Sequence, residues 1–113
     1  MSAEAGRTVT PALFVVRAEV REDLRDDFDA WYEAEHLPDA RAALGASLAR
    51  RSWSVGDDPT HWAVYEFEDL EVLTSKVPSP ELQGLLDEFD ARWPEGVSRT
   101  REILPVLQVL ASD

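Results

Sequence analysis

The segment WYEAEHLP, from Trp31 to Pro38, places three ionisable side chains and two large aromatic rings just before a proline. An imidazole with an ordinary pKa of about 6.5 can accept or donate a proton at neutral pH. We therefore predict that His36 is a general acid or base acting on a small carbonyl or phenolic substrate. Glu35 would orient the imidazole, and Tyr32 or Arg17 would stabilise developing negative charge.

An amphipathic helix from about Asp23 to His36 is predicted to carry these groups. Its apolar positions, which recur at helical spacing, are Leu24, Phe28, Trp31 and Tyr32. Because Leu37 precedes Pro38, which disfavours the helical conformation, the regular helix is expected to end or turn near His36. A further short turn over 39–44 would stop at Gly45.

Glu35 falls in the middle of the apolar stripe when the helix is drawn with 100° per residue. A carboxylate on an inward face costs several kcal/mol unless it is paired or protonated, so Glu35 needs a partner such as His36, Arg17, Arg51 or a backbone amide. This requirement indicates a polar pocket at the helix end. The alternative is that Glu35 and His36 only cap the helix and anchor the proline turn.

Other side chains could contact a ligand. Arg50 and Arg51 are adjacent in a strand, so only one can face inward, where it would suit a substrate carboxylate or phenolate. His61 opens a strand, a position where a solvated or hydrogen-bonded histidine is more common than a ligand. The strand aromatics pack in a core or dimer interface, or stack on an aromatic ligand. The predicted ligand-binding residues are Arg17, Trp31, Arg51, Trp53, His61 and Tyr65.

The predicted strands and helices follow one another in a recognisable order. A first strand, Ala12–Val20, precedes the first helix, and two strands follow over 48–55 and 61–68. The remaining predicted elements are a helical turn over 70–75, a helix capped by Ser79, and a last strand over 98–110 with Pro105 at an edge or bulge. The order β, α, β, β, α, β is that of the ferredoxin-like α+β fold, a four-stranded antiparallel sheet with both helices on one face. Residues 1–10 are predicted to be a disordered tail, and residues 11–113 a single domain.

The other face of this sheet also carries large apolar side chains, among them Leu13 and Val15. Such a face is seldom left in water. A second copy of the chain could cover it, which predicts a homodimer in which two sheets enclose a barrel-like interior. Arg17 would then point toward a cavity or its rim.

Composition excludes several functions. The chain of 113 residues has a net charge of −12, which disfavours nucleic acid and anionic membrane as partners. It contains no cysteine, so thiolate chemistry is excluded, and no HxH or HxxxH spacing supports a metal site. No phosphate-binding loop or hydrolase motif is present, so any reaction is expected to need no cofactor. The acidic runs 21–29 and 66–71 are expected to be solvated, and the protein to be cytoplasmic.

The runs FDAWYEAEHLPDA, ASLARRSW and HWAVYEFEDLEVLTS resemble EthD-like and related small proteins of the dimeric α+β barrel superfamily. The resemblance covers about residues 12–110 and is sharpest in WYEAEHLP. It implies a homodimer with a small organic ligand between helix and sheet, near His36. Superfamily members include monooxygenases, cyclases, isomerases and proteins of no known activity, so fold alone does not assign the reaction.

These observations predict a cytoplasmic homodimer with one pocket per protomer for a small hydrophobic or aromatic metabolite. His36 would catalyse a cofactor-free cyclisation, isomerisation or oxygenation. The alternative is a noncatalytic dimeric module that binds a metabolite or is purely structural.

Overall fold

One antiparallel sheet organises the computed structural model, which describes residues 9–112. Its strands are β1 (Ala12–Val20), β2 (Leu48–Trp53), β3 (Thr60–Phe67) and β4 (Val97–Pro105), in the spatial order β2-β3-β1-β4. Every neighbouring pair is antiparallel. The apolar strand β1 is central because it can bury side chains on one face and pair on both edges.

The helices pack on one face of the sheet. They are α1 (Arg25–Trp31), which follows a 3₁₀ turn over Glu22–Leu24, then α2 (Leu37–Leu44), α3 (Leu70–Lys76) and α4 (Pro80–Arg92). The predicted cap of α4 is confirmed, since the Ser79 side chain accepts a hydrogen bond from the Leu82 N–H and Pro80 opens the helix. Among residues 9–112, no helix has the length and apolar character needed to cross a membrane.

A π-helical turn over Tyr32–His36 joins α1 to α2. The Leu37 N–H donates to the Tyr32 carbonyl five residues earlier, which is the hydrogen bond that defines such a turn. The regular helix was predicted to end or turn near His36; it is interrupted by this turn, but the chain then continues in helical conformation to Leu44. The turn shifts the hydrogen-bond register by one residue and leaves Pro38 in the first turn of α2, where a missing N–H costs least.

The large apolar side chains of the sheet that remain exposed lie on one of its faces. On the face that meets the helices, Phe14, Ala18 and Tyr65 are almost fully buried. On the open face, Leu48, Trp62 and Leu104 are 46%, 37% and 41% exposed. An apolar surface therefore remains on the side where the sequence predicts a partner.

Both ends of the chain differ in part from expectation. Strand β4 ends at Pro105 and not at Leu110, because proline cannot donate a ladder hydrogen bond. Residues 106–112 have no regular structure, and Leu107, Val109 and Leu110 are exposed there. Of the predicted tail, residues 1–8 lie outside the described part of the chain. The Thr10 carbonyl accepts a hydrogen bond from the Leu70 N–H at 2.6 Å.

Two glycines provide a matched test of the fold. Gly96 lies between α4 and β4 with φ of 80°, and an added Cβ would stand 2.7 Å from the Leu24 Cδ1. Gly84, inside α4, has open space around it. We expect Gly96→Ala to lower the free energy of unfolding by about 1 to 3 kcal/mol, and Gly84→Ala to raise it by roughly 0.5 to 1 kcal/mol. Urea unfolding of both variants measures the difference, and equal effects would contradict the assigned backbone conformations.

Candidate functional site

Aromatic rings meet around Phe28, which has no exposed surface. Six other rings lie with centroids 5.1 to 6.2 Å from its own, those of Trp31, Tyr32, Trp53, His61, Phe89 and Trp93. Together with His36, these residues are called the buried aromatic cluster below. Several of the pairs are edge-to-face, the arrangement favoured by ring quadrupoles. The cluster fixes the position of both histidines of the chain.

His36 is held by three rings and is 6% exposed. It stacks on Trp31 at 4.5 Å and meets Tyr32 and Phe89 edge-on at 4.9 and 5.6 Å. Burial lowers the pKa of His36 to about 4, against the opposing effect of Asp39. The ring is therefore neutral at pH 7, with one nitrogen able to accept a proton. Its Nδ1 has no hydrogen-bond partner among the described residues.

A second set of polar side chains lies next to His61, which is 1% exposed. The Asp29 Oδ1 accepts hydrogen bonds from Arg51 Nη1 at 2.7 Å and from Trp53 Nε1 at 2.8 Å, and these bonds lower the pKa of Asp29. Arg51 Nη1 also lies 3.4 Å from His61 Nε2. Burial, helped by Arg51, lowers the pKa of His61 to about 4. His61 is thus a neutral buried histidine beside an ion pair, not a solvated strand end.

Two tyrosines join the histidines on the sheet side of the cluster. Tyr32 and Tyr65 are each 1% exposed, and their hydroxyl groups are close enough to affect each other's pKa. Burial raises the pKa of Tyr32 to about 12 and raises the pKa of Tyr65 further, aided there by Tyr32. Both phenols therefore keep their protons at neutral pH and can act as hydrogen-bond donors.

A small cavity of about 30 Å³ lies between α2, α4 and the sheet. Its polar lining consists of Tyr32, His36, Tyr65, Arg99 and Arg101, and the rest of its wall is apolar. The volume is enough for water and well below the roughly 300 Å³ of a small ligand pocket. The cavity brings a neutral base, two phenols and two guanidinium groups to one place.

The predicted site residues divide into three groups. Tyr32, His36 and Tyr65 line the cavity, and Trp31 does not line it but stacks on the His36 ring. The remaining predicted residues lie near Asp29 and do not line the cavity; they are Arg51, Trp53 and His61.

Glu35 and Arg17 do not join the cluster. Glu35 is exposed, so its predicted inward position is wrong. The π-helical turn holds more residues per turn than the α-helix on which the prediction was drawn, and this rotates His36 inward and Glu35 outward. Arg17 lies on the open face of the sheet, where it pairs with Glu19 at 3.1 Å and lies 5.8 Å from the Trp62 ring. It cannot stabilise charge beside His36.

Three residues of the site were missed by the sequence prediction. Asp29 was placed in a solvated acidic run, although it directly follows the core residue Phe28 and pairs with Arg51. In β4, Arg99 and Arg101 follow Val97 at i+2 and i+4, and Ile103 follows at i+6, so this period of two was the signal that both arginines face the helices. Within residues 9–112, no cluster of three or more histidines and carboxylates is arranged to hold a metal ion.

Comparison with known proteins gives structural matches only. No protein-family model matches the chain, and no curated protein is a significant sequence match. An ethyl tert-butyl ether D (EthD) family protein from Bacillus halodurans C-125 has a TM-score of 0.62 and 14% identity, over 80% of this chain and 96% of the other. A dimeric ferredoxin-like protein from an uncultured marine organism has a TM-score of 0.58 and 12% identity, over 91% and 100%. An uncharacterised NIPSNAP-like domain protein from Burkholderia xenovorans has a TM-score of 0.55 and 18% identity, over 89% and 90%.

The chain has the ferredoxin-like fold. The predicted α+β class and element order are confirmed, as is the structural resemblance to EthD-like proteins. The ferredoxin-like sheet order explains how the site is built. It places β1 between β3 and β4, so that Tyr65 and Arg101 reach the same cavity from the two neighbours of β1.

The two buried histidines make stability depend on pH. Their folded-state pKa of about 4 is below the ordinary value of 6.5, so the unfolded chain binds protons first as the pH falls. Stability should therefore decrease as the pH drops from about 6.5 toward 4. Between pH 7.5 and 5.2 we expect a loss of roughly 1.5 kcal/mol per histidine.

Urea unfolding at fixed protein concentration measures this loss, and His36→Phe and His61→Phe provide controls. Each variant should show a smaller pH dependence than the parent over this interval. A stability that is constant from pH 7.5 to 5.2 in the parent would show that the histidines are not buried in neutral form.

Proposed function

We propose that the protein is a cytoplasmic homodimer that binds a small hydrophobic or aromatic metabolite in the cavity at His36 and catalyses its isomerisation or cyclisation without a cofactor. The observation that carries the proposal is the buried, unpartnered Nδ1 of His36, a member of the polar lining of a largely apolar cavity. An unsatisfied buried polar atom is uncommon in a folded protein and is often explained by function.

His36 supplies the proton acceptor. It is neutral at pH 7, so its free nitrogen can take a proton from a carbon or oxygen next to a substrate carbonyl. The electron pair of the broken bond stays on the substrate as an enolate or phenolate, and the proton returns to another atom of the same molecule. The reaction needs no oxidant. The negative charge that develops also raises the basicity of His36 in the complex.

Tyr32 and Tyr65 supply hydrogen bonds to the developing oxyanion. Both keep their protons at neutral pH because of burial, and both line the same cavity as His36. Donors held in a low-dielectric site stabilise charge more strongly than donors in water. Arg99, at the cavity wall, adds positive charge of the right sign.

Ligand entry requires the cavity to enlarge. At about 30 Å³ it holds only water, so Leu82 and Leu86 on α4 must move outward when a metabolite binds. Contacts of α4 with the rest of the chain are largely apolar side-chain contacts, which can rearrange without breaking a hydrogen-bond network.

A noncatalytic role is the second candidate, and the close stacking of His36 on Trp31 supports it. A ring held at 4.5 Å and 20° from its neighbour fills space as a core aromatic would. In that case the cavity would be only a packing defect, and His36 would contribute to stability alone.

The homodimer is supported by the open face of the sheet. Leu48, Trp62 and Leu104 expose apolar surface there, and one structurally similar protein is described as dimeric. Pairing two such faces would remove this surface from water at a gain of about 25 cal/mol per Å². Leu107 and Leu110, which follow β4 and are 95% and 84% exposed, extend the apolar surface available to a partner.

Size-exclusion chromatography with light scattering tests the dimer. The expected mass at about 10 μM is twice the chain mass of 12.7 kDa. Leu104→Glu should shift the protein to monomer, raising the dissociation constant by roughly a hundredfold, because it buries an unpaired charge in the interface. Val72→Glu, at an equally exposed position on α3, is the control and should remain dimeric. A monomeric parent protein would contradict the dimer.

Deuterium exchange tests the chemistry of His36. A panel of small aromatic ketones is incubated with the protein in D₂O, and mass spectrometry follows exchange of the C–H bonds next to the carbonyl. We expect His36→Gln to lower the protein-dependent exchange rate at least a hundredfold, since general bases contribute about 10² to 10⁴ in rate. His61→Gln, which changes the histidine outside the cavity lining, should retain more than a third of the rate.

The result separates the two candidate functions. If no ketone in the panel exchanges faster than in buffer, or if the two glutamine variants behave alike, His36 is not the proton acceptor. Unchanged exchange together with a lowered melting temperature in His36→Gln would assign the residue to packing.

A further inference from the structure

A groove of about 240 Å³ runs along the helix side of the edge strand β4. Its walls are formed by Val77 after α3, Phe14 on β1, and Arg101, Glu102 and Ile103 on β4. Phe14 and Arg101 also line the cavity that contains His36. These two side chains therefore border both the groove and the cavity.

Arg99 and Arg101 stand two residues apart on the face of β4 that meets the helices, because they are in register with Ala18 and Val16 of β1. Their environments differ. Arg99 is occupied, since its Nη1 lies 2.7 Å from Asp90 Oδ1 and its guanidinium lies over the Phe89 ring at 4.4 Å. Arg101 is exposed, and it makes no ion pair within residues 9–112.

Within residues 9–112, Arg41 and Arg92 also lack an ion pair, but of these three arginines Arg101 is the one that lines the groove. The other arginines with described ion pairs each have a carboxylate within 3.1 Å or less, as in the pairs of Arg21 and Arg25. At the groove, the single carboxylate in the described lining is Glu102. Glu102 is in register with Val15 of the open face, so its side chain leaves the backbone on the opposite side of the strand from that of Arg101. Arg101 thus keeps its hydrogen-bond donors available.

We propose that Arg101 binds the carboxylate of the ligand, and that the ligand is a small aromatic or aliphatic carboxylic acid whose apolar body passes Phe14 into the cavity at His36. The proposal rests on the function proposed above and names its substrate class. A planar guanidinium binds a carboxylate through two parallel hydrogen bonds, which fixes orientation as well as position. The acid group stays in the groove, at the edge of the solvent, and the reacting part of the molecule reaches His36.

The position of Arg101 also explains how such an anion approaches an acidic protein. The overall charge of −12 opposes the approach at long range, but this repulsion is screened beyond about 8 to 10 Å at physiological salt. Close to β4, Arg101 provides a positive charge with no paired carboxylate, whereas the charge of Arg99 is paired with Asp90. Lys76 is occupied by Glu81 at 3.6 Å and adds no free charge.

Binding of matched acid and amide probes tests the proposal. The probes are benzoate and 1-naphthoate, each paired with its uncharged amide, and NMR titration follows the resonances of Phe14 and His36. We expect Arg101→Gln to weaken binding of 1-naphthoate at least tenfold and binding of 1-naphthamide less than twofold. Arg101→Lys, which keeps the charge but not the paired hydrogen bonds, should fall between the parent and Arg101→Gln.

Arg50→Gln is the control for the change in net charge, since Arg50 lies on the open face of the sheet and pairs with Glu66. It should leave the affinities of both probes unchanged. The proposal is overturned if the parent binds neither acid saturably below about 10 mM, if acid and amide lose affinity equally in Arg101→Gln, or if Arg50→Gln has the same effect.

The same titration separates this proposal from the catalytic one. If Arg101→Gln selectively loses affinity for the acid probe but no deuterium exchange depends on His36, the anion site is supported and the catalytic function is contradicted. If deuterium exchange depends on His36 but acid and amide probes bind equally well, the catalytic function is supported and the anion site is contradicted.

Discussion

The hydrogen bond from the Leu37 N–H to the Tyr32 carbonyl determines which side chains the first helical layer presents to the sheet. It widens one turn, so that His36 follows Phe28, Trp31 and Tyr32 into the interior while Glu35 remains in water. An uninterrupted α-helix would bring the carboxylate toward the core at a cost of several kcal/mol. The site therefore depends on a local departure from regular helix geometry, and π-helical turns are frequent at functional sites.

Burial among aromatic rings sets the chemistry of this site more than any charged neighbour does. For His36, His61, Tyr32 and Tyr65, burial is the largest cause of the pKa shift. All four side chains are held in their neutral forms, which is the state in which an imidazole accepts a proton and a phenol donates a hydrogen bond. Asp29, which adjoins the cluster, pairs with Arg51; Arg51 does not line the cavity, and the positive charges there come from β4.

Hydrophobic periodicity was enough to predict the fold from sequence. The alternation in β1 predicts a strand, and the i, i+3, i+4, i+7 spacing from Leu82 to Phe89 predicts an amphipathic helix. The order of these elements is then compatible with few topologies. Tyr32, His36 and Tyr65 were selected because their side chains can exchange a proton or form a hydrogen bond, and they lie on a predicted amphipathic helix and a predicted strand. Glu35 was misplaced because a π-helical turn has no simple sequence signature. Asp29 was missed because its partners, Arg51 and Trp53, come from a strand more than twenty residues away.

The positions of the tryptophans allow the buried aromatic cluster to be followed by fluorescence. Trp31, Trp53 and Trp93 all contact Phe28, and Trp31 lies flat against His36, whereas Trp62 is on the opposite side of the sheet. A protonated imidazole quenches an adjacent indole more strongly than a neutral one. The emission of Trp31 is therefore coupled to the protonation state of His36, and the protein carries an intrinsic optical probe within van der Waals contact of its own candidate base.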